Sequence, residues 1–127
     1  MQWWRSPYRE DDLLLRRVPP RHFPKKLGTS RPDSSAFDDD LDSPMSVIVA
    51  DVLLEAGGEL ADVLDGHPGF GLVGFSVGEA EQQRFPLIVL ADPLPGQPGH
   101  ALVVGRKTDS VRKGLAKACE WIVHPPG

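Results

Sequence analysis

The sequence predicts one α+β domain: a small antiparallel sheet of about four to five strands with helices on one face, and an amphipathic C-terminal helix packed on the sheet. Three observations support this class. The 127 residues fit a single domain, 1–127, with a sizeable core. The 13 glycines and 13 prolines predict many turns and short elements rather than a helical bundle. Finally, short apolar runs alternate with Gly/Pro clusters, which is typical of strands.

The first third of the chain contains one predicted strand between two irregular segments. Residues 1–11 form an N-terminal arm with two tryptophans, a tyrosine and two arginines. Such aromatic content is unusual for a disordered tail, so the arm is expected to dock on its own domain or on a partner. Residues 12–20 predict a short strand that ends at a Pro-Pro pair. Residues 21–44 have no helical or strand period and predict a long irregular loop.

The middle of the chain predicts short helices and strands. Residues 45–57 begin with a β-branched run and continue with helical spacing, which predicts a strand followed by a helix or turn ending at Gly57. Residues 58–67 predict a short helix. Three strand candidates follow, at 71–80, 85–93 and 100–107.

The last element, residues 108–123, is the clearest helix in the sequence. Asp109 or Ser110 is suitable as the N-cap residue. The apolar residues that fall on one helical face are Val111, Leu115, Ala118 and Ile122. This face would cover one side of the sheet.

Charge is distributed unevenly along the chain, although the net charge is only −4. Residues 1–30 hold seven basic and three acidic side chains, whereas residues 31–65 hold one basic and ten acidic side chains. Residues 106–127 are again basic, with five basic and two acidic side chains. We expect the basic termini to fold against the acidic middle of the same molecule; a basic face for nucleic acid or an acidic face for a basic partner are the alternatives.

The single cysteine, Cys119, excludes an internal disulfide and a multi-cysteine metal site. It is expected to be a buried structural thiol, because no histidine is near it in sequence to activate it. The chain has no apolar run of the length of a membrane helix, and its first residues lack the order of a signal peptide. We therefore expect a cytoplasmic protein with no membrane association, no metal and no cofactor.

His67 and His100 are the candidate catalytic residues. Each precedes a predicted strand by a few residues. If consecutive strands pair antiparallel, both histidines stand at one end of the sheet, where they could act as acid and base, bind a ligand, or bind a metal with Asp65. The alternative is that each imidazole only bonds a neighbouring turn carbonyl.

Two further segments are candidates for binding an anion. Arg31, Ser34 and Ser35 in the loop could hold a phosphate or carboxylate, and Ser46 could extend this site. Arg106 and Lys107 directly precede the last helix, where free backbone N–H groups favour an anion. The alternative needs no ligand: the serines would bond to nearby backbone groups in turns, and the basic side chains would be solvated. The acidic run 38–42 predicts a solvated turn.

The motifs RPxSxAF, MSV, GHPxxGL and PxHALVVGxKT occur here as RPDSSAF, MSV, GHPGFGL and PGHALVVGRKT. In this order the chain resembles a family of small uncharacterised bacterial proteins over residues 12–123. The resemblance implies that the long loop and both histidine turns belong to one module, and it implies no activity.

Function remains open between two main classes. The leading interpretation is a small accessory or binding protein that recognises a protein partner or a small anionic ligand. The alternative is a small enzyme that uses His67 and His100 as an acid/base pair on an anionic, nucleotide-like or phosphate-ester-like substrate. Nucleic-acid binding through the basic termini is a third interpretation, and the sequence pI of about 5.5 argues against it.

Overall fold

The fold was analysed in a computed structural model that describes residues 7–24 and 31–125. Its centre is a six-stranded antiparallel sheet with the order β4-β5-β2-β1-β3-β6. The strands are β1 (Leu13–Val18), β2 (Met45–Val49), β3 (Gly71–Ser76), β4 (Ile88–Ala91), β5 (His100–Val104) and β6 (Glu120–Val123). The α+β class is therefore confirmed, but the expected count of four to five strands was too low.

Three α-helices connect these strands: α1 (Ala50–Glu55), α2 (Val77–Glu81) and α3 (Asp109–Ala118). Three single turns of 3₁₀-helix lie at Pro20–His22, Ser34–Phe37 and Leu60–Leu64. Neighbouring residues of a strand point to opposite faces of the sheet. In β1, Leu14 and Leu15 are therefore both buried but belong to different hydrophobic clusters, one on each face.

The larger cluster lies on the face that α2 and α3 cover. Val111 and Leu115 of α3 pack there with Phe37 of the second 3₁₀ turn, whose ring meets Phe75 edge to face at 5.9 Å. Each of these four side chains is at most 1% exposed. The apolar side of α3 thus belongs to the buried cluster on this face, with the Ser34–Phe37 turn as a direct neighbour, and its packing directly on the sheet stays a prediction.

The opposite face carries a smaller cluster. Leu15 and Ile48 of the sheet pack there with Leu53 of α1 and with Val63 of the third 3₁₀ turn. Helical segments therefore cover both faces, and the expectation of helices on one face was wrong. The physical reason is that β1 and β2 are apolar on both sides, so both faces need cover.

The last helix is shorter than predicted. Its N-cap is Thr108, whose hydroxyl accepts a hydrogen bond from the backbone N–H of Val111, and not Asp109 or Ser110 as predicted. It ends at Ala118, and the chain continues as β6. Ile122 falls on the helical period of the sequence but belongs to this edge strand.

The strand order also changes the relation between the two histidine turns. The sequence interpretation paired consecutive strands, so that 71–80 and 100–107 ran parallel. Instead β1 and β2 lie between β3 and β5, and successive antiparallel pairings make β3 and β5 antiparallel. The residues before these two strands therefore do not share one end of the sheet.

The central strands β1 and β2 diverge after a short ladder. β1 pairs with β3 over six residues, but its pairing with β2 covers only Leu14 with Val49 and Leu15 with Ile48. Beyond this point the Arg16 side chain bridges the strands, because its Nη1 donates to the Ser46 carbonyl at 2.9 Å.

The predicted irregular segments are only partly described. Residues 1–6 of the arm and residues 25–30 of the loop lie outside the described residues. Within the described part, Tyr8 is half-buried and packs against the larger cluster. The end of the loop is ordered by Asp33, whose side chain accepts a hydrogen bond from the backbone N–H of Ser35. Leu41 is 98% exposed and does not anchor the loop.

Candidate functional site

A groove of about 780 Å³ lies on the face of the smaller cluster. Its floor comes from three strands: Leu15 and Arg17 of β1, Ser46 and Ile48 of β2, and His100 of β5. Ile48 is the register partner of both Leu15 and His100, so these side chains share one face. Arg17 follows Leu15 by two residues and points the same way.

Four segments form the walls of the groove. The segment before β3 contributes His67 and Phe70, and the loop between β4 and β5 contributes Leu94 and Gln97. The other two walls come from the segments 19–22 and 35–41. A groove of this size lies within the range of small-molecule sites, about 300–1,000 Å³.

The acidic wall of the groove is neutralised by basic side chains from both ends of the chain. Asp39 pairs with Lys107 at 2.7 Å, and Asp38 pairs with Arg112 at 3.3 Å. Asp40 pairs with Arg16 at 3.1 Å. This confirms that basic terminal segments fold against the acidic middle.

Asp40 is fixed by a backbone hydrogen bond as well as by its pair with Arg16. Its Oδ2 accepts a hydrogen bond from the backbone N–H of Ser46 at 3.1 Å. Burial alone would raise the pKa of Asp40, but the charge of Arg16 and these hydrogen bonds outweigh burial and lower the pKa. The carboxylate thus stays ionised and holds Arg16 in place.

Arg17 has a different environment from Arg16. Its Nε donates to the Val63 carbonyl at 2.6 Å. Neither terminal guanidinium nitrogen has a hydrogen-bond partner or a carboxylate partner among the described residues. Burial and the charge of Arg16 lower the pKa of Arg17, but arginine remains charged in proteins. The charge of Asp40 opposes part of this lowering, but no carboxylate contacts the Arg17 guanidinium among the described residues, so Arg17 brings a positive charge to the floor of the groove.

His67 lies close to this charge. Its ring centroid is 5.1 Å from that of Phe70, at a tilt of 55°. Burial, followed by the charge of Arg17, lowers the pKa of His67. The lowered pKa favours the neutral imidazole of His67, and Arg17 supplies a positive charge at this end of the groove.

His100 is held by the loop that precedes β5. Its Nδ1 lies 2.9 Å from the Asp92 carbonyl oxygen and 3.2 Å from Asp92 Oδ2. The side chain is 14% exposed. Because Nδ1 is engaged, Nε2 is the ring atom left for a ligand in the groove. His67 and His100 thus line one groove, although they do not lie at one end of the sheet.

The predicted anion-binding residues are divided between the groove and other places. Ser35 and Ser46 line the groove. Ser34 begins the second 3₁₀ turn. Arg31 donates to the Cys119 carbonyl on the other side of the sheet.

The two basic residues before α3 are also engaged outside an anion site. The Arg106 guanidinium lies 4.5 Å from the centroid of the Phe85 ring. Lys107 is 2% exposed, and its Nζ donates to the Val103 carbonyl at 2.8 Å and to the Gly105 carbonyl at 3.0 Å, besides its pair with Asp39. No clustering of Arg31, Arg106 and Lys107 around one anion is seen.

Cys119 is 1% exposed and its Sγ donates to the Ala116 carbonyl at 3.2 Å. Burial raises the pKa of the thiol to about 11, and the nearby Arg31 offsets only part of this effect. A thiol in this state is a poor nucleophile.

The sequence interpretation missed Arg17 and Gln97. The signal for Arg17 was present in LLLRRV, because two adjacent arginines in a strand point to opposite faces and each must find its own partner. Gln97 had no comparable signal. Its Oε1 is buried and has no hydrogen-bond partner among the described residues, and only the folded loop shows this.

Over residues 7–24 and 31–125, no group of three His, Cys, Asp or Glu side chains could hold a metal ion. In the same part of the chain, no helix is long and apolar enough to cross a membrane. Comparison of the chain with protein-family models, with curated proteins and with solved structures finds no match. The resemblance to small bacterial proteins therefore stays a prediction.

Proposed function

We propose that this protein is a binding protein that holds a small organic anion in the groove, with Arg17 as the residue that contacts the anionic group. One observation carries this proposal. The acidic wall is already paired with Arg16, Lys107 and Arg112, whereas Arg17 keeps its terminal nitrogens without a partner among the described residues. A half-buried guanidinium with no carboxylate in direct contact favours a carboxylate or phosphate ligand.

The rest of the groove supports an organic anion rather than an inorganic ion. Leu15 and Ile48 form an apolar floor beside Arg17, and Leu41 and Leu94 expose apolar side chains at the rim. Burial of apolar ligand surface would add to the charge-assisted hydrogen bonds. Cytoplasmic location and an accessory role in a larger assembly accompany this proposal as predictions.

A calorimetric titration with simple carboxylates and phosphate monoesters tests the proposal. Arg17→Gln should weaken binding of the preferred anion by about 10- to 100-fold, the loss expected for a charge-assisted bidentate contact. Lys113→Gln is the matched control, because it removes the same charge from an exposed position on α3. Equal affinities for wild type and Arg17→Gln would refute the proposal.

An enzyme is the second candidate, because of the contact between Asp92 and His100. A carboxylate that orients an imidazole through Nδ1 leaves Nε2 ready to take a proton, as in many general bases. In this candidate His67 and His100 form the acid/base pair on an anionic ester. Turnover of phosphate or carboxylate esters that disappears in both His100→Gln and Asp92→Asn would favour it over simple binding.

A further inference from the structure

Gln97 lies in a tightly closed loop at the β5 end of the groove. The backbone N–H of Asp92 donates to the His100 carbonyl at 3.0 Å, and Leu94 and Gln97 exchange two backbone hydrogen bonds of 3.1 and 2.9 Å. Gly96 makes the turn between them with a φ of +77°. The loop therefore fixes the position of Gln97 relative to β5.

The side chain of Gln97 presents an unused acceptor. Its Oε1 is buried and has no hydrogen-bond partner in the part of the chain that the structure describes, and the residue lines the groove. A buried amide oxygen without a donor is rare, because it has lost water without replacement. A donor group of a bound ligand would supply the missing hydrogen bond.

The register of the sheet gives the distance between the two ends of the groove. Arg17 is two residues along β1 from Leu15, and Leu15 is two strands away from His100 through Ile48. With about 3.4 Å per residue and about 4.8 Å per strand, the Cα atoms of Arg17 and His100 are about 12 Å apart. The His100 backbone N–H donates to the Gln97 carbonyl, so Gln97 belongs to this far end.

Aliphatic side chains lie between the two ends. Leu15 is 1% and Ile48 is 5% exposed, so the floor between the two ends is aliphatic, whereas the rings of His67 and Phe70 belong to the wall before β3. Asp92 adds a half-exposed carboxylate beside His100, at the Gln97 end. The groove therefore has a cationic end, an aliphatic middle, and an acceptor end with negative charge.

We propose that the ligand of the groove is a short peptide of about three residues, with its C-terminal carboxylate on Arg17 and its N-terminal ammonium on Gln97 Oε1. This inference rests on the proposed function, since it assigns the anion as a peptide carboxylate. Three extended residues span about 10–11 Å, which is comparable with the roughly 12 Å between the Cα atoms of Arg17 and His100 that mark the two ends. The volume of about 780 Å³ leaves room for their side chains.

Three matched ligands test this assignment by calorimetry: trialanine, trialanine amide without the carboxylate, and propanoyl-dialanine without the amino group. Wild type should bind trialanine about tenfold more tightly than either analogue, because each lacks one charge-assisted hydrogen bond. Dialanine should bind more weakly than trialanine, because it cannot reach both ends.

The variant Gln97→Leu tests recognition of the amino group of the ligand separately from recognition of its carboxylate. It should reduce the preference for trialanine over propanoyl-dialanine, since only the Asp92 carboxylate then favours the ammonium, yet it should still prefer trialanine to the amide. Gln97→Glu should increase the preference for trialanine, and it serves as the second variant if Gln97→Leu does not give a cooperative thermal transition.

The outcomes distinguish this inference from the proposed function. Equal binding of trialanine and propanoyl-dialanine by wild type would overturn the peptide assignment, and so would an unchanged preference in Gln97→Leu. No detectable binding of trialanine would overturn it as well. In each case the anion site stands if Arg17→Gln still weakens binding of simple carboxylates or phosphate esters, and it falls if Arg17→Gln has no effect.

Discussion

Replacing Arg16 with methionine should destabilise the protein far more than the same change at its neighbour Arg17. Arg16 makes four hydrogen bonds: to the carbonyls of Ala36, Ser46 and Asp38 at 3.0, 2.9 and 3.2 Å, and to Asp40 Oδ1 at 3.1 Å. Water from the groove can partly replace the lost donors, so we count each bond at about 1 kcal/mol, below the usual range for charged donors. Arg16→Met should therefore lower the free energy of unfolding by about 4 kcal/mol.

Arg17 makes one such bond, to the Val63 carbonyl. Arg17→Met should therefore cost about 1 kcal/mol, and methionine preserves much of the apolar contact of the side-chain stem. Urea unfolding followed by tryptophan fluorescence measures both values, and the thermal midpoint of Arg16→Met should fall by roughly 15 °C. A loss below about 1 kcal/mol for Arg16→Met, or equal losses for the two variants, would refute the distinction between a structural and a ligand-binding arginine.

Three further predictions concern other parts of the molecule. Asp40→Asn should reduce the loss of stability in acid. The pKa of Asp40 is lower in the folded than in the unfolded state, so its ionised carboxylate stabilises the fold above the unfolded-state pKa, and this stabilisation disappears as the pH falls through the folded-state pKa. Unfolding curves of both proteins between about pH 2 and pH 6 measure the difference. Cys119 should resist alkylation in the folded protein, because the thiol is buried and only roughly a thousandth of it is ionised at about pH 8. Native protein should therefore be labelled far more slowly than urea-unfolded protein, and similar labelling rates would contradict the buried position of Cys119. Leu115→Ala should cost about 2–5 kcal/mol in chemical denaturation, because Leu115 is fully buried in the larger cluster, whereas Lys113→Ala on the exposed side of the same helix should cost less than about 1 kcal/mol.

Local sequence signals located most of the elements. The change from a β-branched run to helical spacing in residues 45–57 corresponds to β2 and α1, and the apolar run after His100 corresponds to β5. The errors arose where one periodicity continued through two elements. The predicted strand 71–80 continued past Ser76, which ends β3 and caps α2 by accepting a hydrogen bond from the Glu79 backbone N–H at 3.0 Å. The edge strand β6 was hidden in the same way, because Ile122 extends the period of α3.

The strand order could not be obtained from local signals. The alternation of apolar and polar residues predicts which side chains of a strand share a face, but it does not predict which strands lie next to each other. The groove depends on this order, because His67 and His100 reach it from strands separated by β1 and β2. The uneven charge along the chain predicted that basic and acidic segments would pair, but it did not predict that Lys107 pairs with Asp39. Only the structure shows this ion pair, which removes Lys107 from the candidates for ligand binding.

The strand order also has a consequence for synthesis. Of the six described strands, β1 is the first to leave the ribosome, and it lies at the middle of the sheet, with β2 on one side and β3 on the other. Later strands extend the sheet outwards: β5 joins β2, and β6 joins β3. Only β4 must wait for a strand that follows it, since its partner is β5. The order of translation thus matches growth from centre to edge, so that each strand after β1, except β4, finds its pairing strand already made.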